Sequence, residues 1–114
     1  MLESVDSARI VLTTTANLPE ANRLGRTLVE ERLAAYATLI PAVESIYSWK
    51  GKIETSSEAM LMLKTSSGQL VALEARLRQL HSYETPEFLV LSIESGSDAY
   101  LAWMFSNLGP SKQG

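Results

Sequence analysis

YATLIPAVESIYSW (36–49), a turn at Lys50-Gly51, and KIETSSEAMLMLKT (52–65) read as one long β-hairpin. At about 3.3 Å per residue, the fourteen positions of its first arm would extend roughly 46 Å if straight. A compact domain of about 100 residues has a radius of gyration near 13 Å. Even with a bend at Pro41, the tip carrying Tyr47 and Trp49 is expected to project beyond the body. A bare two-stranded ribbon with exposed aromatics is marginal in water, so the hairpin needs a neighbour to pack on. The chain is therefore expected to associate with copies of itself.

The flanking segments supply the rest of a sheet and its helices. ARIVLTTT (8–15) is rich in β-branched residues and reads as a strand. Asn17 suits a helix N-cap and Pro19 a first turn; Ala21, Leu24, Gly25, Leu28 and Val29 then share one face of a helix expected to reach about Ala34. Ser66 and Gln69 have capping-box spacing ahead of a second helix marked by Leu70, Leu73, Leu77 and Leu80. FLVLSIES (88–95) reads as a further strand, and Ser97 as the cap of a last helix with Tyr100, Leu101, Met104, Phe105 and Leu108. The order is β-α-β-β-α-β plus a C-terminal helix, an α+β sandwich of ferredoxin-like type in one domain spanning 1–114, with a core over about 8–108 and a loose tail at 109–114. Two helices cover one sheet face. FLVLSI and EAMLML carry apolar groups on both sides, so the second face needs its own apolar cover. A sister subunit would provide it, and aspartate at Leu61 or Leu63, whichever meets that neighbour, is expected to dissociate or unfold the protein.

Composition excludes several classes. The 114 residues are 46% hydrophobic and 20% charged, ordinary for a globular domain, with a net charge of −3 and no basic stripe for nucleic acid. There is no cysteine, which removes disulfides and thiolate metal sites. No run approaches the ~18 apolar residues of a membrane span, and MLESVDSARI has no signal-peptide pattern, so a cytoplasmic protein is expected. P-loop, dinucleotide and nucleophile-elbow motifs are lacking, and no enzymatic activity is expected.

Candidate chemistry gathers in three places. His81 is the only histidine, in LHSYETPE (80–87), beside Tyr83, Glu84 and Glu87. At a helix C-terminus a histidine commonly caps the last carbonyls, and that structural role stands beside the functional one. Imidazole and carboxylate together suit a divalent cation, with His81 and Glu84 as the candidate metal ligands. Two ligands do not complete a site, so the remainder would come from other copies. On the returning strand, Glu54, Glu58 and Lys64 stand at even spacings and share a side with Met60 and Met62, either as a solvated edge or as a polar cleft with thioethers nearby. Tyr47, Trp49 and Lys52 flank the hairpin tip, for packing into a neighbour or for stacking on a ligand.

Five segments together resemble the CutA family of divalent-cation tolerance proteins: LVEERLAA (28–35), IPAVESIYSWKGKIETSSE (40–58), LMLKT (61–65), LHSYETPE (80–87) and IESGSDAYLAW (93–103). The resemblance implies a ferredoxin-like subunit in a homotrimer, similar to the PII signalling proteins, whose intersubunit clefts bind small ligands. It implies a part in tolerance of copper and other divalent metals, with no reaction attached. The cleft residues would be Tyr47, Trp49, Lys52, Glu58, Lys64, His81, Tyr83 and Glu84. In this chain Tyr36 stands at the position where family members commonly carry cysteine, and Thr38 at that of an asparagine. A phenol is a poor copper ligand at neutral pH, so copper is expected to bind weakly or elsewhere. The competing expectation is a non-catalytic scaffold or signalling adaptor with no metal of its own. An RNA-binding use of the same element order lacks the aromatic and basic signature on its central strands.

Overall fold

Side-chain parity along the strands decides the layers. In the computed structural model, which describes residues 7–110, the elements run β1 (Ala8–Thr15), α1 (Leu18–Glu30), β2 (Tyr36–Trp49), β3 (Lys52–Ser66), α2 (Leu70–Leu80), β4 (Leu89–Ser92) and α3 (Asp98–Ser106). One antiparallel sheet has the strand order β2-β3-β1-β4. This is the expected α+β arrangement. Val11, Leu61 and Leu63 share a fully buried core with Leu24 and Leu28 of α1 and Leu73 and Leu77 of α2. Gly25 lets α1 sit close on the sheet, because a Cβ there would lie 3.1 Å from the Cβ of Ala37.

The opposite parity forms a second apolar face. Ile10 pairs with Lys64 and Leu91, Leu12 with Met62 and Leu89, and Ile40 with Met60, so these side chains lie on one side of the sheet. Only one end of this side is covered, where Leu101, Met104 and Leu108 close over Ala8 and Ala35. Leu89 and Leu91 remain 55% and 48% exposed. Leu61 and Leu63 have the same parity and are both sealed beneath the chain's own helices, so neither meets a neighbour; Met60 and Met62 occupy the uncovered face instead.

The hairpin extends as its sequence implies. The molecule measures 49 × 26 × 24 Å, with a radius of gyration of 14.8 Å. Lys50 (φ 52°) and Gly51 (φ 80°) form its turn, both in the left-handed region that a tight two-residue hairpin turn demands. A register shift between Ile40 and Val43 bends the ribbon around Pro41. At the tip, Trp49 is 60% and Ile53 74% exposed.

Four local expectations are corrected. α1 ends at Glu30, not Ala34: Arg32 adopts φ 61°, and the N–H groups of Arg32 and Leu33 donate to the carbonyls of Val29 and Leu28, closing a Schellman turn. The Arg32 guanidinium then grips the end of α3, donating to the carbonyls of Ser106 (2.9 Å) and Leu108 (3.0 Å). The capping box at Ser66–Gln69 does not form. A single 3₁₀ turn (Ser67–Gln69) intervenes, and the Gln69 amide donates to the carbonyls of Gly109 and Pro110. That contact, with the Gly109 N–H on the Arg32 carbonyl, ties down the first two residues of the supposed loose tail; 111–114 lie outside the described residues. Finally, FLVLSIES contributes only Leu89–Ser92 to the sheet.

Candidate functional site

The segment following α2 meets β1, α1 and β3 at the root of the hairpin. His81 leaves helical geometry (ψ 143°) as the C-cap of α2, its own N–H still bonded to the Leu77 carbonyl. Its ring is buried. Nδ1 accepts the Tyr83 amide N–H at 3.0 Å, which leaves Nε2 to carry the proton and donate to the Thr14 carbonyl at 2.8 Å. The Glu20 carboxylate lies 3.7 Å from Nδ1, but a nitrogen that accepts a hydrogen bond carries no proton, so this contact is not an ion pair.

Glu20 is the residue that sequence reasoning missed. Asn17 caps α1 by accepting the Glu20 N–H at 2.9 Å. The carboxylate in turn accepts from the amides of Ala16 (3.1 Å) and Ser82 (2.8 Å) and from the Ser82 hydroxyl (3.0 Å). The Asn17-x-x-Glu20 spacing is itself a capping-box signature and would have revealed it. Burial pushes the Glu20 carboxyl up, but the hydrogen bonds from Ser82 and Ala16 outweigh it, and its pKa ends below the ordinary value.

Tyr83 carries this network to the hairpin. Its ring packs on His81 with centroids 4.8 Å apart, and its hydroxyl donates to Glu58 Oε2 at 2.7 Å. Burial first, then the bond to the Glu58 carboxylate, push the phenol pKa upward. Glu87 is pushed up as well, by burial and by the charge of Glu58. Glu58 pairs with Val43 directly beyond the bend, so the loop after α2 is latched to β3 where the ribbon leaves the body.

The eight expected cleft residues therefore divide into groups. His81, Tyr83 and Glu58 come together. Tyr47, Trp49 and Lys52 share the face of Glu58 but line the outer ribbon, where the hydroxyls of Tyr47 and Ser56 share a 2.8 Å hydrogen bond. Lys64 stands six residues from Glu58, roughly 20 Å along the strand, with Nζ donating to the Tyr100 hydroxyl (3.0 Å) and lying 4.4 Å from the Tyr36 ring centre. Glu84 is exposed in the loop. The His81–Glu84 pair does not fit a metal in this conformation, because both imidazole nitrogens are engaged. Among the described residues no group of three His, Cys, Asp or Glu side chains is arranged to hold a metal ion.

Comparison with known proteins agrees with the sequence resemblance. The family described as CutA1 divalent ion tolerance protein matches residues 9–107. The divalent-cation tolerance protein CutA of Pectobacterium atrosepticum is 41% identical over 101 residues, covering 89% of this chain and 92% of that protein. Protein CutA of Homo sapiens is 43% identical over 98 residues, 86% of this chain, which spans only 55% of the human protein. The crystal structure of CutA1 from Oryza sativa superposes with a TM-score of 0.90 at 33% identity, covering 95% of this chain and all of that one (100%). The chain belongs to the CutA1 divalent ion tolerance family.

Proposed function

We propose that this chain serves divalent-cation tolerance as a non-catalytic homotrimer, holding a divalent cation such as copper, or a small ligand, in clefts between subunits. One observation carries the proposal: a single chain leaves Ile10, Leu12, Ile40, Met60, Met62, Leu89 and Leu91 on a sheet face that its own helices cover only at one end. Copies packed on that face bring the projecting ribbons, with Tyr47, Trp49 and Lys52, against their neighbours. Glu58 and Glu87 then stand at the root of each ribbon as oxygen donors. Hard carboxylate oxygens suit divalent cations, and contributions from several copies supply the ligands that one chain lacks. Family membership supports the cation-tolerance part.

Sedimentation equilibrium of the purified protein tests the assembly, and calorimetric titration of the assembled form with Cu²⁺ and Zn²⁺ tests the cleft. A stable monomer at micromolar concentration overturns the trimer. A trimer without saturable heat, unchanged by Glu58→Gln, removes the ligand and leaves the second reading: a scaffold or adaptor. That reading is favoured by the way the polar groups of His81, Glu20 and Tyr83 are satisfied within one chain, by Thr14, Ser82 and Glu58 and by the bond from the Tyr83 amide to His81.

A further inference from the structure

At the far end of the sheet from the Glu58–Tyr83 root, α1, the first residues of β2 and α3 enclose an open groove of about 560 Å³. Its floor is apolar, formed by Gly25, Val29 and the opening residues of β2. The rings of Tyr36 and Trp103 stand along one side, edge to face at 6.0 Å, with the indole 44% exposed. Arg26 and Glu30 stand along the other, one turn apart on α1. Their Cβ atoms are therefore about 5–6 Å apart. Among the described residues the one ion pair between side chains of fixed charge is Arg76–Glu31, so the opposite charges of Arg26 and Glu30 are not spent on each other.

We infer that this groove binds a small aromatic zwitterion, an aromatic amino acid being the simplest such molecule. Its carboxylate pairs with Arg26, its ammonium with Glu30, and its ring lies against Trp103 and Tyr36. The charge pattern selects the class. An apolar ligand would leave both charges unused, an anion would meet Glu30, and a cation would meet Arg26. Lys64 lies 4.4 Å from the Tyr36 ring centre and orders that ring from the sheet side, beyond the groove. The inference is independent of the cation reading above, since none of these residues belongs to the hairpin root.

The sequence has two tryptophans, so Trp49→Phe leaves Trp103 as sole reporter. In that background, 3-nitro-L-tyrosine, an energy acceptor for indole, should quench Trp103 fluorescence saturably, with L-phenylalanine competing. Phenylacetate and phenethylamine, each lacking one charge, should compete roughly tenfold less well, and Arg26→Gln and Glu30→Gln should each weaken the probe by about the same factor. Both side chains are exposed, so these variants should keep the wild-type far-UV spectrum. Absence of saturation below about 10 mM, or affinity indifferent to both charge variants, overturns the inference. So does a Trp103 emission already blue-shifted and shielded from iodide in the assembled protein, which would mean that another copy fills the groove.

Discussion

Met60 and Leu61 are neighbours in β3, yet they belong to different problems. Leu61 lies at 0% exposure under α1 and α2, sealed by the chain's own helices. Met60 points the other way, onto a face that α3 closes only at one end. The two faces are similarly apolar, and what separates them is who supplies the cover. Connectivity uses α1 and α2 on the same side, as any β-α-β-β-α-β chain with right-handed crossovers must, and leaves the other side over. A helix-covered face reports on folding and a bare one on association. Substitutions on the two should therefore fail in different ways.

The largest effect is expected at Leu63. Leu63→Asp buries an unpaired carboxylate between sheet and helices, at a cost of several kcal/mol against a whole-domain stability of about 5–15 kcal/mol. Far-UV circular dichroism should report an unfolded or aggregated chain. Met62→Asp, one position away, faces the uncovered side. It should leave the dichroism spectrum native while sedimentation at about 10 µM shows a monomer. A native Leu63→Asp, or a trimeric Met62→Asp, would break the distinction between the faces.

That distinction was half legible in the sequence. The apolar residues on both sides of β3 and in FLVLSI announced two apolar faces, and the length of YATLIPAVESIYSW announced the projecting ribbon. Which parity met the helices was not legible, because Met60 and Met62 are as apolar as Leu61 and Leu63 and a strand pattern carries no absolute direction. The hairpin root was half legible as well. Tyr83 stood out beside His81, but its partner Glu58 is 25 residues away and becomes a neighbour only through the register of β3. Tertiary contacts also decided the ends of α1 and the tail. Nothing local says that Arg32 will take a left-handed conformation; its guanidinium is held by carbonyls more than 70 residues later.

A smaller effect separates the hairpin root from both faces. Tyr83→Phe removes the 2.7 Å bond to Glu58 and little else, and should lower stability by about 1 kcal/mol. The denaturant midpoint should fall with an unchanged slope. The sedimentation behaviour should match that of the wild type, since this hydrogen bond lies within one chain. A dissociated Tyr83→Phe would instead make the root part of the interface and blur the boundary between folding and association.

The smallest effect concerns pH, and its sign differs between two carboxylates of that root. The Glu20 carboxyl has a folded pKa below its ordinary 4.5, so its stabilisation is fully present above that value and is lost as pH falls through the folded value. Glu87 has a folded pKa above its ordinary 4.5. Its contribution is present below that value and is lost as pH rises through the folded one, because ionisation charges a partly buried carboxyl and, less importantly, places a second charge near Glu58. Acidification thus loosens the α1 side of the root while relieving the β3 side. Denaturation midpoints measured from about pH 3 to 7 should show Glu20→Gln flattening the acid limb and Glu87→Gln flattening the decline toward neutrality. If both variants shift the profile in the same direction, the two carboxylates do not sit in the opposed environments created by the Ser82 hydrogen bonds at Glu20 and by burial and the Glu58 charge at Glu87.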